Sequence, residues 1–90
     1  MKLYIKVSRD AAKSIKTLSD DLREYIGATL NSLVSNECLG WEDVATLSAD
    51  NLMELVLTDN GCDTLGELET KAESFCWSCG YLGYKLQSRF

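Results

Sequence analysis

The chain has 90 residues, 46% of them hydrophobic and 26% charged, with a formal net charge of −5. That length makes one domain, residues 1–90, able to bury roughly 60–65% of its unfolded surface, and the composition is that of a folded chain, not a disordered one. The absence of histidine excludes Ser-His-Asp and Cys-His catalysis and histidine-ligated metals, while the absence of proline removes proline-rich ligands and cis-proline switches.

Residues 2–7 alternate. Leu3, Ile5 and Val7 point one way and Lys2, Tyr4 and Lys6 the other, the period of a half-buried strand. Ser8 or Asp10 then opens a helix that runs, with a break near Ser19, to about Ser35. Its second part, residues 20–34, is the rod on which the rest is laid. Leu22, Ile26, Leu30 and Leu33 form one apolar stripe, Ser19 caps the start, and Asp20, Asp21 and Glu24 complement the positive end of the dipole. Asn36 and Gly40 lie just beyond and are the expected left-handed stop.

Residues 40–43 read as a loop or single turn. Ser48 precedes Leu52, Met53, Leu55, Val56 and Leu57, a helix by composition. A buried strand over 51–58 is the alternative and would give a β-α-β-α-β order. Asp59-Asn60-Gly61 is a turn signal. Thr64 and Glu67 have the spacing of a capping box, followed by a stripe of Leu65, Leu68, Ala72, Phe75 and Cys79, and Lys71 stands four after Glu67 in the favourable order for an ion pair. Gly80 and Gly83 each cost a helix about 1 kcal/mol. The helix is therefore expected to end near Gly80 and residues 81–87 to form a strand beside residues 2–7; a helix continuing through Leu82 and Leu86 is the competing reading. The fold class is α+β, helix-dominated, with a small sheet from the N-terminal (2–7) and C-terminal (81–87) segments.

Charge is unevenly placed. Residues 1–23 hold six bases and three acids, residues 24–70 hold ten acids and no base, and residues 71–90 hold three bases and one acid. The middle of the chain should therefore carry a negative potential that steers basic partners and repels nucleic acid. Trp41, between Gly40 and Glu42-Asp43, has no helical stripe of its own and is the aromatic anchor of such a surface, with Asp50, Glu54, Asp59, Asp63 and Glu67 as its acidic surround. A solvated acidic face, and a tryptophan tucked under a loop, are the structural alternatives.

Chemistry-bearing motifs are few. Cys76-Trp77-Ser78-Cys79 is a C-x-x-C, but at the C-terminal end of the expected helix, where the dipole raises a thiol pKa. Zinc would need Cys38 and Cys62 as further ligands, and these are isolated from each other. The four cysteines are expected to be thiols and not bridges, with Cys76 and Cys79 as core thiols on an apolar helix face and disulfides as the alternative; a zinc- or thiol-dependent regulator using Cys76 and Cys79 is the second functional class. The carboxylate pairs have no electrophilic partner, and Gly80-Tyr81-Leu82-Gly83 lacks the third glycine of a phosphate loop. Neither a catalytic residue nor a cofactor is expected. No apolar run approaches the ~18 residues of a membrane span, and Lys2 and Lys6 interrupt the stretch a signal peptide would use, so the expected location is cytoplasmic.

Asn60-Gly-Cys-Asp-Thr64-Leu-Gly66-Glu-Leu68 is similar to the turn-into-helix segment Gly-Ile-x-Thr-Val-Gly-Glu-Leu in the C-terminal domain of the RNA polymerase alpha chain, over nine residues with acidic flanks. That resemblance implies shared capping chemistry. In size, charge and lack of catalytic machinery the chain resembles small acidic phage-encoded anti-defence inhibitors such as anti-CRISPR proteins. This implies a non-enzymatic blocker of a basic, nucleic-acid-binding surface of a host defence complex, with no direct nucleic-acid or membrane binding.

Overall fold

Hydroxyl side chains begin four of the helices. A computed structural model describes residues 3–88, in the order β1 (Leu3–Val7), α1 (Arg9–Lys16), α2 (Asp20–Ser35), α3 (Trp41–Thr46), α4 (Ala49–Asp59), α5 (Leu65–Cys79) and β2 (Tyr84–Ser88). Ser8 accepts the N–H of Ala11, Ser19 that of Leu22, Ser48 that of Asn51 and Thr64 that of Glu67, at 3.1–3.3 Å. Each bond satisfies a donor that a helix start leaves unpaired.

The helix over 51–58 is the correct reading of the middle segment, and the β-α-β-α-β alternative does not hold. Residues 40–43 go further than a single turn: Asp43 accepts the Gly40 N–H at 3.0 Å and starts the short helix α3. The left-handed residue after α2 is Glu37, with φ 62°, not Asn36 or Gly40. Its N–H reaches the Val34 carbonyl and that of Cys38 the Leu33 carbonyl, both at 3.0 Å, so the bonds closing the helix hold a glutamate in that conformation. After α4 the same turn falls on Gly61, where φ 65° costs nothing.

β1 and β2 pair in parallel, Leu3 opposite Tyr84 and Val7 opposite Ser88, with all the helices in the crossover between them. Ile5 and Val7 are buried, while Tyr4, Lys6, Lys85 and Gln87 are exposed on the outer face. Lys2, part of the expected strand 2–7, lies outside the described residues. The second strand starts at Tyr84, not at residue 81, because Gly80 and Gly83 take φ 72° and 88° and the intervening residues are held by α2. The core joins Ile5 and Val7 to Ala11 and Ile15 of α1, Leu22, Ile26 and Leu30 of α2, Val44 of α3, Leu52 and Val56 of α4, and Leu68 and Ala72 of α5.

Asn60 links three elements. It accepts from the Tyr25 hydroxyl at 2.7 Å, donates to Thr29 at 3.1 Å, and its carbonyl takes the Lys71 ammonium at 2.6 Å. Lys71 is thereby directed to the α4–α5 turn, and Glu67 accepts the Asp63 N–H at 3.4 Å; this replaces the expected Glu67–Lys71 pairing. Burial, with Cys62 and Asp59 close by, raises the Tyr25 pKa.

α2 meets β2 with no space for a side chain at Gly27, where an added Cβ would stand 2.5 Å from the Tyr84 Cβ. Gly27→Ala should therefore destabilise the protein by about 1–3 kcal/mol, measured by denaturant unfolding. Gly66→Ala, in the first turn of α5 with nothing nearer than 3.9 Å, should be neutral or stabilising by up to about 1 kcal/mol. Equal effects of the two would contradict the packing described.

Candidate protein-binding surface

Trp41 is the first residue of α3 and is 44% exposed, with Glu42 and Asp43 exposed beside it. Val44 and Ala45 turn inward and anchor the helix, and α3 packs on β1. Trp41 precedes Val44 and Ala45 by one turn on the same face of this helix and is exposed at its open start, with the two carboxylates directly after it. Asp43 is also the N-terminal capping ligand of α3.

The other nominated acids are all exposed and fall in two further groups. Asp50 and Glu54 are four apart on α4 and share one line of that helix. Asp59 is five residues on from Glu54, about 140° around the helix, and groups with Asp63 and Glu67 around the α4–α5 turn. Lys71 enters that turn on the Asn60 carbonyl and supplies positive charge there. Glu24, the first acid of the base-free run, is not a surface charge. It is 5% exposed, and its two oxygens accept the N–H of Gly83 at 3.1 Å and of Tyr84 at 3.2 Å.

Sequence reasoning passed over Trp77. The buried residues of α5 are Leu68 and Ala72, with Phe75 half-buried against Tyr25 at a ring separation of 5.3 Å. Trp77 lies across the helix from this stripe and is 92% exposed, among Thr70, Glu73, Ser74 and Ser78. The signal was present in the stripe itself, since a residue two after Phe75 points away from the core. The ends of the expected stripe, Leu65 and Cys79, are exposed as well.

The cysteines are free thiols of three kinds: Cys62 is buried, Cys76 half-buried, and Cys38 and Cys79 exposed. Of the pair expected in the core, Cys76 is only half-buried and Cys79 lies on the surface. The Cys76 thiol points to the Asp21 carbonyl at 3.9 Å, and burial, followed by the Asp21 and Glu24 charges, pushes its pKa from 9.0 up to about 11. A nucleophilic or metal-binding cysteine needs the opposite shift. Among the described residues no group of three or more Cys, Asp or Glu is placed to hold a metal ion, and no helix is long and apolar enough to cross a membrane.

At about pH 8, alkylation followed by peptide mapping should modify Cys38 and Cys79 first, with Cys76 reacting roughly 100-fold more slowly than an ordinary thiol because two pKa units remove that share of thiolate. A raised folded-state pKa makes this contribution to stability complete below about pH 9 and lost as pH rises toward about 11. Cys76 labelling as fast as Cys79 would contradict the geometry. No family model matches the chain, and no curated protein or solved structure matches it significantly.

Proposed function

We propose that the protein is a non-enzymatic protein-binding module that docks onto a basic surface of a host protein or nucleoprotein complex through Trp41, Glu42 and Asp43, with the exposed acids Asp50 and Glu54 of α4 and Asp59, Asp63 and Glu67 at the α4–α5 turn adding to its negative field. The observation that carries this reading is Trp41, left 44% exposed in the first turn of α3 and followed by two exposed carboxylates, while Val44 and Ala45 one turn later fill the core. An indole at the centre and carboxylates at the rim are what an interface anchor requires. The field of the base-free middle segment would speed encounter with a basic partner and make the complex salt-sensitive.

Size and acidity favour the more specific reading: a phage-type anti-defence inhibitor, anti-CRISPR-like, that acts in the host cytoplasm by covering a surface where nucleic acid would bind. A zinc- or thiol-dependent regulator is the less supported reading, since the Cys76 thiol, its pKa pushed up to about 11, stays protonated, with the exposed Cys79 thiol near it.

A pull-down from bacterial lysate compares wild type with the combined variant Trp41→Ala, Glu42→Lys, Asp43→Lys and, separately, with Trp77→Ala. The combined variant should lose the partner by roughly 30-fold or more, whereas Trp77→Ala retains it. Equal recovery of every partner by wild type and the combined variant would overturn the proposed surface. For the anti-defence identity, stoichiometric protein should abolish target-DNA binding by a CRISPR effector; binding undiminished by a large excess would reject that identity.

A further inference from the structure

Among the described residues, β2 has a neighbouring strand on one side only. In a parallel ladder alternate residues turn their N–H and C=O toward the partner strand, and the others turn them away. Tyr84 gives its N–H to Glu24 at 3.2 Å, so it belongs to the outward set. Leu86, two residues on and at the centre of β2, belongs to the same set. Leu86 lines a groove of about 490 Å³ together with Gly83, Tyr84 and Lys85, Tyr81, and Asp20, Arg23 and Glu24 of α2. An open strand edge is a template for an added strand.

We infer that this edge pairs with β2 of a second copy, antiparallel about Leu86, joining the two sheets into one of four strands in the order β1–β2–β2–β1. The two Leu86 residues face each other and exchange both N–H···O bonds, as outward residues opposed in an antiparallel pair do. The arrangement is twofold symmetric and closed, whereas parallel addition would leave a fresh edge and propagate.

Charge selects the second copy as occupant. In this register Lys85 stands opposite Gln87 on the solvent face, in both directions, so no like charges are directly opposed. The groove is lined by two acids, Asp20 and Glu24, and two bases, Arg23 and Lys85, so its local balance is neutral although each chain carries −5. Any approach through the acidic middle segment would set carboxylates against carboxylates. Glu24 already occupies the Tyr84 N–H, which leaves Leu86 as the centre of the seam and makes the dimer a weak, concentration-dependent one.

Sedimentation equilibrium on the whole chain, from about 10 μM to about 1 mM, tests this with two substitutions at the exposed Gln87, which lies off the core and leaves the fold intact by circular dichroism. Wild type should show a monomer–dimer equilibrium. Gln87→Lys sets lysines against Lys85 at both symmetric positions and should weaken it roughly 2- to 30-fold; Gln87→Glu should strengthen it over the same range. Amide exchange at Leu86 should slow as concentration rises. A monomer throughout the range would overturn the inference. So would a dimer that both variants leave unchanged, or one whose Leu86 exchange does not depend on concentration.

Discussion

The buried carboxylate of Glu24 is the constraint on which the sheet depends. Its oxygens bind the N–H groups of Gly83 and Tyr84, fixing the point at which the chain leaves the Gly80–Gly83 turn and becomes β2. Burying a charge is costly unless it is hydrogen-bonded, and two backbone donors to one carboxylate are charge-assisted bonds that offset that cost. The arrangement extends along one line of α2, with residues three apart. The Asp21 carboxylate takes the Tyr81 hydroxyl, Glu24 takes the two amides, and Gly27 leaves room for the Tyr84 side chain. The hydrogen bond to Asp21 is the largest cause that pushes the Tyr81 pKa up to about 12. One helix face thus reads the incoming segment residue by residue.

The same docking orders the charges. Parallel pairing brings the base-bearing beginning and end of the sequence together, with Lys6 and Lys85 on one outer sheet face. The exposed acids of the middle segment sit on α3, α4 and the start of α5. Asp10 crosses between these regions, accepting the Ala49 N–H at 2.8 Å, while Ser8 donates to the Leu47 carbonyl. These bonds fix the α3–α4 link against α1, so the Trp41 helix is held at both its inner face and its exit.

What was legible in the sequence was local. The serine and threonine caps, the Leu22–Ile26–Leu30 stripe, the break between α1 and α2, and the end of α5 at Gly80 each follow from a few adjacent residues. What was not legible depended on contacts across the chain. Glu24 in the first turns of a helix reads as a complement to the dipole, and nothing near it in sequence announces a strand about sixty residues later that needs its oxygens. Gly27 reads as a mild helix defect until Tyr84 is laid on it. Glu37 holds a left-handed turn that composition assigns to Asn36 or Gly40, because the bonds closing α2 fall at its position. In the candidate surface, the exposure of Trp41 depends on its place in the open first turn of α3, one turn before the buried Val44 and Ala45, and that of Trp77 on which side of α5 meets α2.

The crossover between β1 and β2 also sets the order of events during synthesis. Leu3 is eighty-one positions from its ladder partner Tyr84, so every helix leaves the ribosome before the first strand has anything to pair with. Until then Ile5 and Val7 form an apolar ribbon with unsatisfied amides, the kind of segment that chaperones bind and that neighbouring nascent chains capture. The nascent protein is therefore a set of helices around an incomplete centre, and it becomes a single cooperative unit only when its final strand arrives.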